Sequence, residues 1–410
     1  MKNLFEGIKA ARERHKERHR PTGFQFALAD SIHFLNGPDW DAVTSAAGFF
    51  LRRSYLSVLE RCCPQGTTLR YGLIYQQGEP KGALAVQILK ISGDKVVGQR
   101  KARKPNVLHN ALSPAARKLS AAVQERVLVC GNLFSWGSHG VAFAPGSAAN
   151  ELWPAVVEGL YRIRRAERLS GETNLVFIKE LSAAQHETAQ PLRRFSFRPL
   201  ETEPDMVLEL RPEWRNYGDY LNSLDRKYRK SAQQIAAATD AAGCLVERIK
   251  NVEASAPRLY ELYLAVHEHA TIRPATLSPE YLPALARVAG EDFSCVVIRR
   301  GEEILGFVSL IRDSDLAIGY YIGYDRGAAV NLPLYLRLLH AVVEQAIDWR
   351  CRRLSLGRTA LEPKARLGAK PQPLFIWARH RHSTVNFFVR KLVQAIPHQE
   401  PPERNPFKGQ

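Results

Sequence analysis

Residues Tyr71 to Leu89 read YGLIYQQGEPKGALAVQIL, and residues Phe293 to Ile311 read FSCVVIRRGEEILGFVSLI. Each sets two β-rich runs around a polar turn, QQGEPKG in the first and RRGEEILG in the second. Gly78 and Gly301 supply a turn conformation that other residues resist. Gly82 and Gly306 follow the two turns in the same way. The chain therefore carries one hairpin twice, and the residues after each copy decide what kind of repeat it is.

After the first hairpin comes RVLVC (126–130), a strand that resumes at Gly140 to Phe143. After the second comes LAIGYYIGY (316–324). An amphipathic helix follows each: Leu152, Val156, Leu160 and Ile163 recur at helical spacing, as do Tyr335, Leu338, Val342 and Ile347. Each helix leads to a short strand, Asn174 to Ile178 and Arg353 to Leu356. The order hairpin, strand, helix, strand thus occurs twice. Gly301 to Leu354 spans 53 residues and Gly78 to Leu175 spans 97; the excess, 97 − 53 = 44, falls largely in a basic insertion near 90–126. Helices are predicted ahead of each hairpin, over Trp40 to Arg61 in the first half and over Tyr217 to Ala242 and Ala256 to Glu268 in the second. The seam falls near Pro212, after the strand MVLEL (206–210). This divides the chain into a basic arm (1–23), a first unit (24–211), a second unit (212–396) and a Pro-rich tail (397–410).

Composition narrows the function. The 410 residues are 45% hydrophobic and 24% charged, which excludes a mainly disordered chain, a collagen and a coiled coil. No apolar run is long enough for a membrane span. Lys and Arg number 58 against 41 Asp and Glu, a net of +17, which favours polyanions: nucleic acid, phosphate-rich cofactors or anionic lipid. The six cysteines form no C-x-x-C pair, and they read as buried small hydrophobes in a reducing cytoplasm. The N-terminus lacks an apolar core behind its charges, so no secretory signal is expected.

The order of elements resembles the GNAT acyltransferase fold. Two units in one chain resemble the Fem-type aminoacyltransferases and their acyltransferase relatives. YLNSLDRKYRKSAQQI (220–235) looks like the basic helix that opens their second unit. LYELYLAVHEHATIRPATLSPEYLPAL (259–285) looks like the helix pair that follows. IGYYIGYD (318–325) looks like the fourth strand, and LSLGRTALEPKARLGA (354–369) like the fifth strand and its Gly/Lys loop. The fold class expected is therefore α/β with mixed α+β sheets, as two tandem GNAT-like units, each a mixed sheet flanked by helices. The activity the resemblance implies is N-acyl transfer, forming an amide directly from acyl-CoA or aminoacyl-tRNA on an amine, either a small amine or a cell-wall-type precursor. No tightly bound cofactor is implied; acyl-CoA would be a donor substrate. Acetyl-CoA enzymes of this superfamily carry a Q/R-x-x-G-x-G/A loop after the fourth strand, which cradles pyrophosphate on backbone amides. Neither RGAAVN (326–331) nor PGSAAN (145–150) fits it, so the donor stays open between the two.

Candidate site residues follow from the second unit. Residues 350–391 hold eleven basic residues and one acid, Glu362. With RKYRK (226–230) they are read as a phosphate groove, with Tyr228, Trp349, Phe375 and Trp377 as neighbouring rings. Arg226, Lys227, Arg229, Arg358, Thr359 and Lys364 are the donor or phosphate contacts; a local pair of Arg358 with Glu362 is the alternative for that residue. Tyr320 and Tyr321 are candidate leaving-group acids and Asp325 a proton acceptor, with a turn or helix cap as the plainer reading of Asp325. Strand alternation places Tyr320 and Tyr324 on one face and Tyr321 on the other, while Gly319 and Gly323 would permit a bulge. Trp136 and His139, in CGNLFSWGSHGVAF (130–143), and His267 are the acceptor contacts. No metal site is expected: His267 and His269 diverge on a helix, and Thr271 breaks the H-E-x-x-H pattern. Two other function classes remain: a non-catalytic basic RNA-binding or regulatory module, and a membrane-surface lipid acyltransferase in peripheral contact through the N-terminal arm.

Overall fold

The computed structural model describes residues 20–92, 124–269, 275–386 and 402–409. Most of the N-terminal arm, the core of the basic insertion and the start of the tail lie outside these residues.

The first half contains β1 (Gln25–Ala29), α1 (Gly37–Thr44), α2 (Arg53–Arg61), β2 (Thr67–Gln76), β3 (Glu79–Ser92), β4 (Gln124–Cys130), β5 (Val141–Phe143), α3 (Ala149–Ala166), β6 (Thr173–Ser182), α4 (Ala183–Thr188) and β7 (Arg198–Glu209). The second contains α5 (Tyr217–Ser223), α6 (Arg226–Ala241), β8 (Cys244–Ile249), α7 (Val252–His267), α8 (Tyr281–Ala289), β9 (Phe293–Arg300), β10 (Glu303–Asp313), β11 (Leu316–Tyr324), α9 (Leu334–Asp348), β12 (Arg353–Ser355), α10 (Leu361–Arg366) and β13 (Lys370–His380). The helix expected over Trp40 to Arg61 is two helices, because Gly48, at φ +86°, turns the chain between them. The helix expected over Tyr217 to Ala242 is also two, broken at extended Leu224 and Asp225.

The thirteen strands among the described residues join one mixed sheet, in the order β1-β2-β3-β4-β6-β13-β7-β12-β11-β10-β9-β8, with β5 on β3. The middle of that order is an exchange. β13, the last strand of the second half, lies between β6 and β7 of the first. β7, the last strand of the first half, pairs β12 of the second. The core follows the same logic. One buried cluster joins Tyr55 and Leu56 of α2 to Leu259 of α7, Tyr281 of α8, Phe307 of β10 and Tyr320 of β11. The sheet and this core both run across the seam expected near Pro212.

The internal repeat extends to a defect in the fourth strand of each half. In the second half, Val308 pairs Ile322 and Leu310 pairs Gly319, so Ser309 faces two residues, Tyr320 and Tyr321. That is a β-bulge. In the first half, Val86 pairs Cys130 and Leu84 pairs Val141, and Ala85 bonds both Gly131 and Gly140. Residues 132–139 are extruded as a loop opposite that one alanine. Ala85 and Ser309 each stand three residues after the repeat glycines, Gly82 and Gly306. One half bulges by two residues and the other by a loop, at the same point.

The neck of the loop requires glycine. A Cβ on Gly140 would lie 2.3 Å from the carbonyl carbon of Cys130 and 2.4 Å from the amide nitrogen of Gly131. Backbone cannot yield as a flexible side chain can. Gly140→Ala should cost on the order of 3 kcal/mol in urea unfolding; a loss below about 0.5 kcal/mol would show that the neck relaxes freely.

Candidate active site

β11 and β12 run parallel but pair only over Leu316–Ile318 and Arg353–Ser355. Beyond this the strands separate, and the bulge at Tyr320 and Tyr321 stands at the opening. The alternation expected for these tyrosines does not hold, because the bulge brings both hydroxyls to one acceptor. Tyr320 donates to the carbonyl of Phe134 at 2.7 Å and Tyr321 donates to it at 3.1 Å. Phe134 belongs to the extruded loop of the first half, so the two strand-four defects meet at this oxygen.

A chain of hydroxyls backs that contact. Tyr320 has spent its proton on Phe134, so the 2.6 Å contact with Tyr281 requires Tyr281 to donate. Tyr281 must then accept at 3.0 Å from Tyr55, and Tyr55 accepts from the Asn132 amide at 2.7 Å. Asn132 in turn accepts from the Phe134 amide at 2.9 Å, closing the circuit on the loop. Burial pushes the phenols of Tyr281, Tyr320 and Tyr321 well above their ordinary value, so all three are neutral donors near neutral pH. Ser309 Oγ occupies the amide of Tyr321 at 3.0 Å, which removes that N–H from any role toward a substrate oxygen.

The second anchor of the loop is Glu180, which is fully buried and sits at φ +53° in a bulge of β6 opposite Ile376. One carboxylate oxygen accepts from the Gly137 amide at 2.7 Å and from Lys179 at 2.6 Å. The other accepts from Arg358. Lys179 also donates to the carbonyl of Ser135 at 2.8 Å. Burial alone would raise the Glu180 carboxyl; Lys179 and Arg358 outweigh it and hold it below the ordinary carboxylate range. A third anchor runs through Trp136, whose indole N–H donates to Ser355 Oγ at 2.7 Å. Ser355 donates to Asp205, its oxygen lying 2.6 and 2.8 Å from the two carboxylate oxygens. Trp136 packs on Gly357, at φ +78°, where a Cβ would lie 3.3 Å from the ring.

Residues 226–365 match the family described as Acetyltransferase (GNAT) domain. The chain contains a GNAT acetyltransferase domain. The solved structure of FemX shares the fold, with a TM-score of 0.53 and 10% identity over 89% of this chain and 100% of that one. A tandem GNAT protein from the clavulanic acid biosynthesis pathway aligns with a TM-score of 0.46 and 12% identity, over 88% of this chain and 99% of that one. L-PGS from Bacillus licheniformis aligns at 0.46 and 10%, over 82% of this chain and 95% of that one. No curated protein matches the sequence.

Within the GNAT domain the expected residues divide into two groups. Tyr320, Tyr321, Arg358 and Lys364 come together with Trp136 and His139 of the first half. Arg358 pairs with Glu180, not with Glu362, which instead takes Arg366 at 3.0 Å and Arg404 at 3.1 Å. Lys364 does not face solvent-borne phosphate. It is 4% exposed, donates to the Gly357 carbonyl at 3.1 Å, and burial pulls it down to about 8. His139 donates from Nε2 to the Trp136 carbonyl at 2.8 Å and packs on Phe50; burial lowers it to about 4, so the ring is neutral. His267 stacks on Tyr263, 4.9 Å between centroids, and Tyr263 meets Tyr321 edge-on at 5.5 Å, which places His267 at the margin of the cluster.

The others stand apart. Asp325 Oδ1 accepts the Ala328 amide at 2.8 Å and Oδ2 lies 3.6 Å from Arg258, the contacts of a turn cap. Arg226 and Lys227 are exposed and Arg229 half-exposed on the first turns of α6, and Thr359 is exposed. The basic run from 350 does not form one groove. Arg353 pairs with Asp315, Arg358 and Lys364 turn inward, and Arg381 pairs with Glu172 on the far side of β13. Among the described residues no group of three or more His, Cys, Asp or Glu could hold a metal ion, and no helix is long and apolar enough to cross a membrane.

Sequence reasoning missed Glu180, Asp205, Asn132, Tyr55 and Tyr281. A signal existed for the first: Lys179-Glu180 interrupts the apolar strand LVFIKEL (175–181), and a charged pair inside such a run needs partners.

Two measurements test the cluster. Glu180→Gln should cost about 3 kcal/mol in urea unfolding at pH 7, because Lys179 and Arg358 lose the buried carboxylate that pairs with both. Since the folded Glu180 value is depressed, its contribution is complete above the unfolded value of about 4.3 and is lost as pH falls below that. The deficit of the variant should therefore shrink at about pH 3.5; an equal deficit at both pH values would show that charge is not the cause. Tyr320→Phe should cost about 1–2 kcal/mol, the price of leaving the Tyr281 proton without an acceptor; an unchanged midpoint would show that the hydroxyl chain is not formed.

Proposed function

We propose that this protein is an N-acyltransferase that forms an amide by direct transfer, with aminoacyl-tRNA as donor and an amine as acceptor. The observation that carries the choice of donor is the turn after β11. In the acetyl-CoA-type arrangement the amides here hold pyrophosphate. In this chain the Ala328 amide is taken by the Asp325 carboxylate. The amides of Ala329, Val330, Asn331 and Leu332 are bonded to carbonyls within the same turn. A carboxylate on the turn, together with five amides already taken, makes this turn a poor seat for a dianion. An ester donor held through a nucleic acid does not need that seat.

The opening between β11 and β12 supports the site of transfer. A substrate carbonyl entering it would displace the Phe134 carbonyl from the hydroxyls of Tyr320 and Tyr321. Two neutral donors, already converged on one oxygen, would then polarise the incoming one in place of the Phe134 carbonyl. The leaving hydroxyl of an ester can be protonated by the same phenols, backed by Tyr281 and Tyr55. Lys364, lowered to about 8, exists partly as the free amine near neutral pH and is a proton acceptor for the incoming ammonium. Trp136 and His139 wall the acceptor side. No covalent enzyme intermediate is needed, since the amine attacks the ester carbonyl directly.

Filter binding of charged against uncharged tRNA at about 150 mM salt, with acyl-CoA as competitor, tests the donor. A clear preference for the charged form, untouched by acyl-CoA, is expected. Equal weak binding to both forms, abolished by micromolar acyl-CoA, would overturn the tRNA reading in favour of a CoA-dependent acyltransferase.

A further inference from the structure

The loop that the first half extrudes, residues 132–139, makes two contacts at the opening between β11 and β12, and they are chemically complementary. The Phe134 carbonyl takes the hydroxyls of Tyr320 and Tyr321. Two residues on, the Trp136 indole N–H donates to Ser355 Oγ at 2.7 Å. One piece of chain thus sets a carbonyl oxygen on hydrogen-bond donors and an N–H on an acceptor. An ester and an amine meeting in the opening present the same two groups.

Ser355 is placed for the amine. It is the last residue of β12 to pair with β11, opposite Ile318, so it stands where the two strands part. Tyr320 lies two residues beyond Ile318 on the other strand. The half-buried Trp136 ring touches Ser355 and lies 6.2 Å from the Tyr320 ring between centroids. Ser355 Oγ donates its own proton to Asp205, 2.6 and 2.8 Å from the two carboxylate oxygens, so toward Trp136 it can only accept. A serine that merely anchored an indole would need no carboxylate behind it, and a buried carboxylate is costly. Burial lifts the Asp205 carboxyl above its ordinary value. The Ser355 hydroxyl, the Gly357 amide and the Lys364 charge oppose that rise, and the charge of Glu180 adds to it. Asp205 is therefore a better proton acceptor than an exposed carboxylate.

We infer that Ser355 and Asp205 are the amine end of the site, and that an N–H of the acceptor takes the place now held by the Trp136 N–H. This rests on the transfer reading. As the nitrogen attacks the ester carbonyl, the C–N bond forms, the nitrogen's proton passes to Ser355 Oγ, and the Ser355 proton passes to Asp205. The ester C–O bond breaks with its electron pair on the leaving oxygen, which takes a phenol proton from Tyr320 or Tyr321. The proton gained by Asp205 and the one lost by the phenol cancel through solvent when the products leave. Lys364 acts earlier, on the incoming ammonium, so the two acceptors remove different protons.

One readout needs neither donor nor turnover. N-methylacetamide carries a carbonyl and an N–H. Titrated to about 100 mM into the full chain labelled with ¹⁵N at tryptophan, it should move the Trp136 indole signal in the NMR spectrum. Trp136→Phe identifies that signal, and the remaining tryptophan signals should stay in place. In Ser355→Ala the Trp136 signal should start displaced and stay there. No movement in the wild type, or equal movement in Ser355→Ala, would overturn the inference. A second readout is transfer from charged tRNA to methylamine and to hydroxylamine, whose nitrogen is largely unprotonated at neutral pH. Ser355→Ala and Asp205→Asn should each slow transfer to methylamine about a hundredfold or more, and to hydroxylamine by less than about tenfold. Equal losses with both amines would reduce the pair to an anchor and overturn the proton step. Transfer to neither amine by the wild type would overturn the transfer reading itself; a displaced Trp136 signal would then leave Ser355 as an N–H binding site alone.

Discussion

The carbonyl oxygen of Phe134 is where the two halves of this protein hold each other. Two phenols of the second half donate to it, and the loop that presents it exists only because the fourth strand of the first half breaks open around Ala85. Each neutral hydrogen bond contributes about 1 kcal/mol net. The constraint is stronger than that sum, because every group in the circuit from Asn132 to Tyr320 is buried and bonded to the next. Removing any one strands another away from water. The loop is also fixed from below by Glu180 and from the side by Trp136. Its position is therefore determined three times, by neutral hydroxyls, by a buried ion pair and by an indole over a glycine.

The strand exchange explains why such a loop can be placed accurately. β13 and β7 each finish the other half's sheet, so the two halves cannot slide relative to one another without breaking main-chain ladders. Glu180 lies on β6 beside β13, and Asp205 lies on β7 beside β12. Both buried acids thus sit on the exchanged seam, and each binds a residue from across it: Arg358 for Glu180, Ser355 for Asp205. The seam and the three anchors of the loop together fix the groups around the opening relative to one another.

The sequence carries both hairpins, both crossover helices and the short strands after them as plain periodicity, and these place the GNAT domain. The bulge was legible as a permission, in Gly319 and Gly323, but not as a fact. Simple alternation separated Tyr320 from Tyr321, since a bulge changes face without any change in composition. The charge count over 350–391 was right and its geometry was not. Charge is a sum over residues, and a strand that crosses a sheet delivers its arginines to opposite ends.

What the sequence by itself determined is what depends on neighbours a few residues apart: the helical stripes, the polar turns, the repeat of the hairpin and the missing phosphate loop. What only the tertiary structure decided is which distant groups became partners. Arg358 had Glu362 four residues away and took Glu180, 178 residues away, instead. The reason is energetic. A local surface pair contributes little, because water screens it, whereas a carboxylate sealed in the seam must be met by cations or not be charged at all. Burial, which no local pattern encodes, chose the partner.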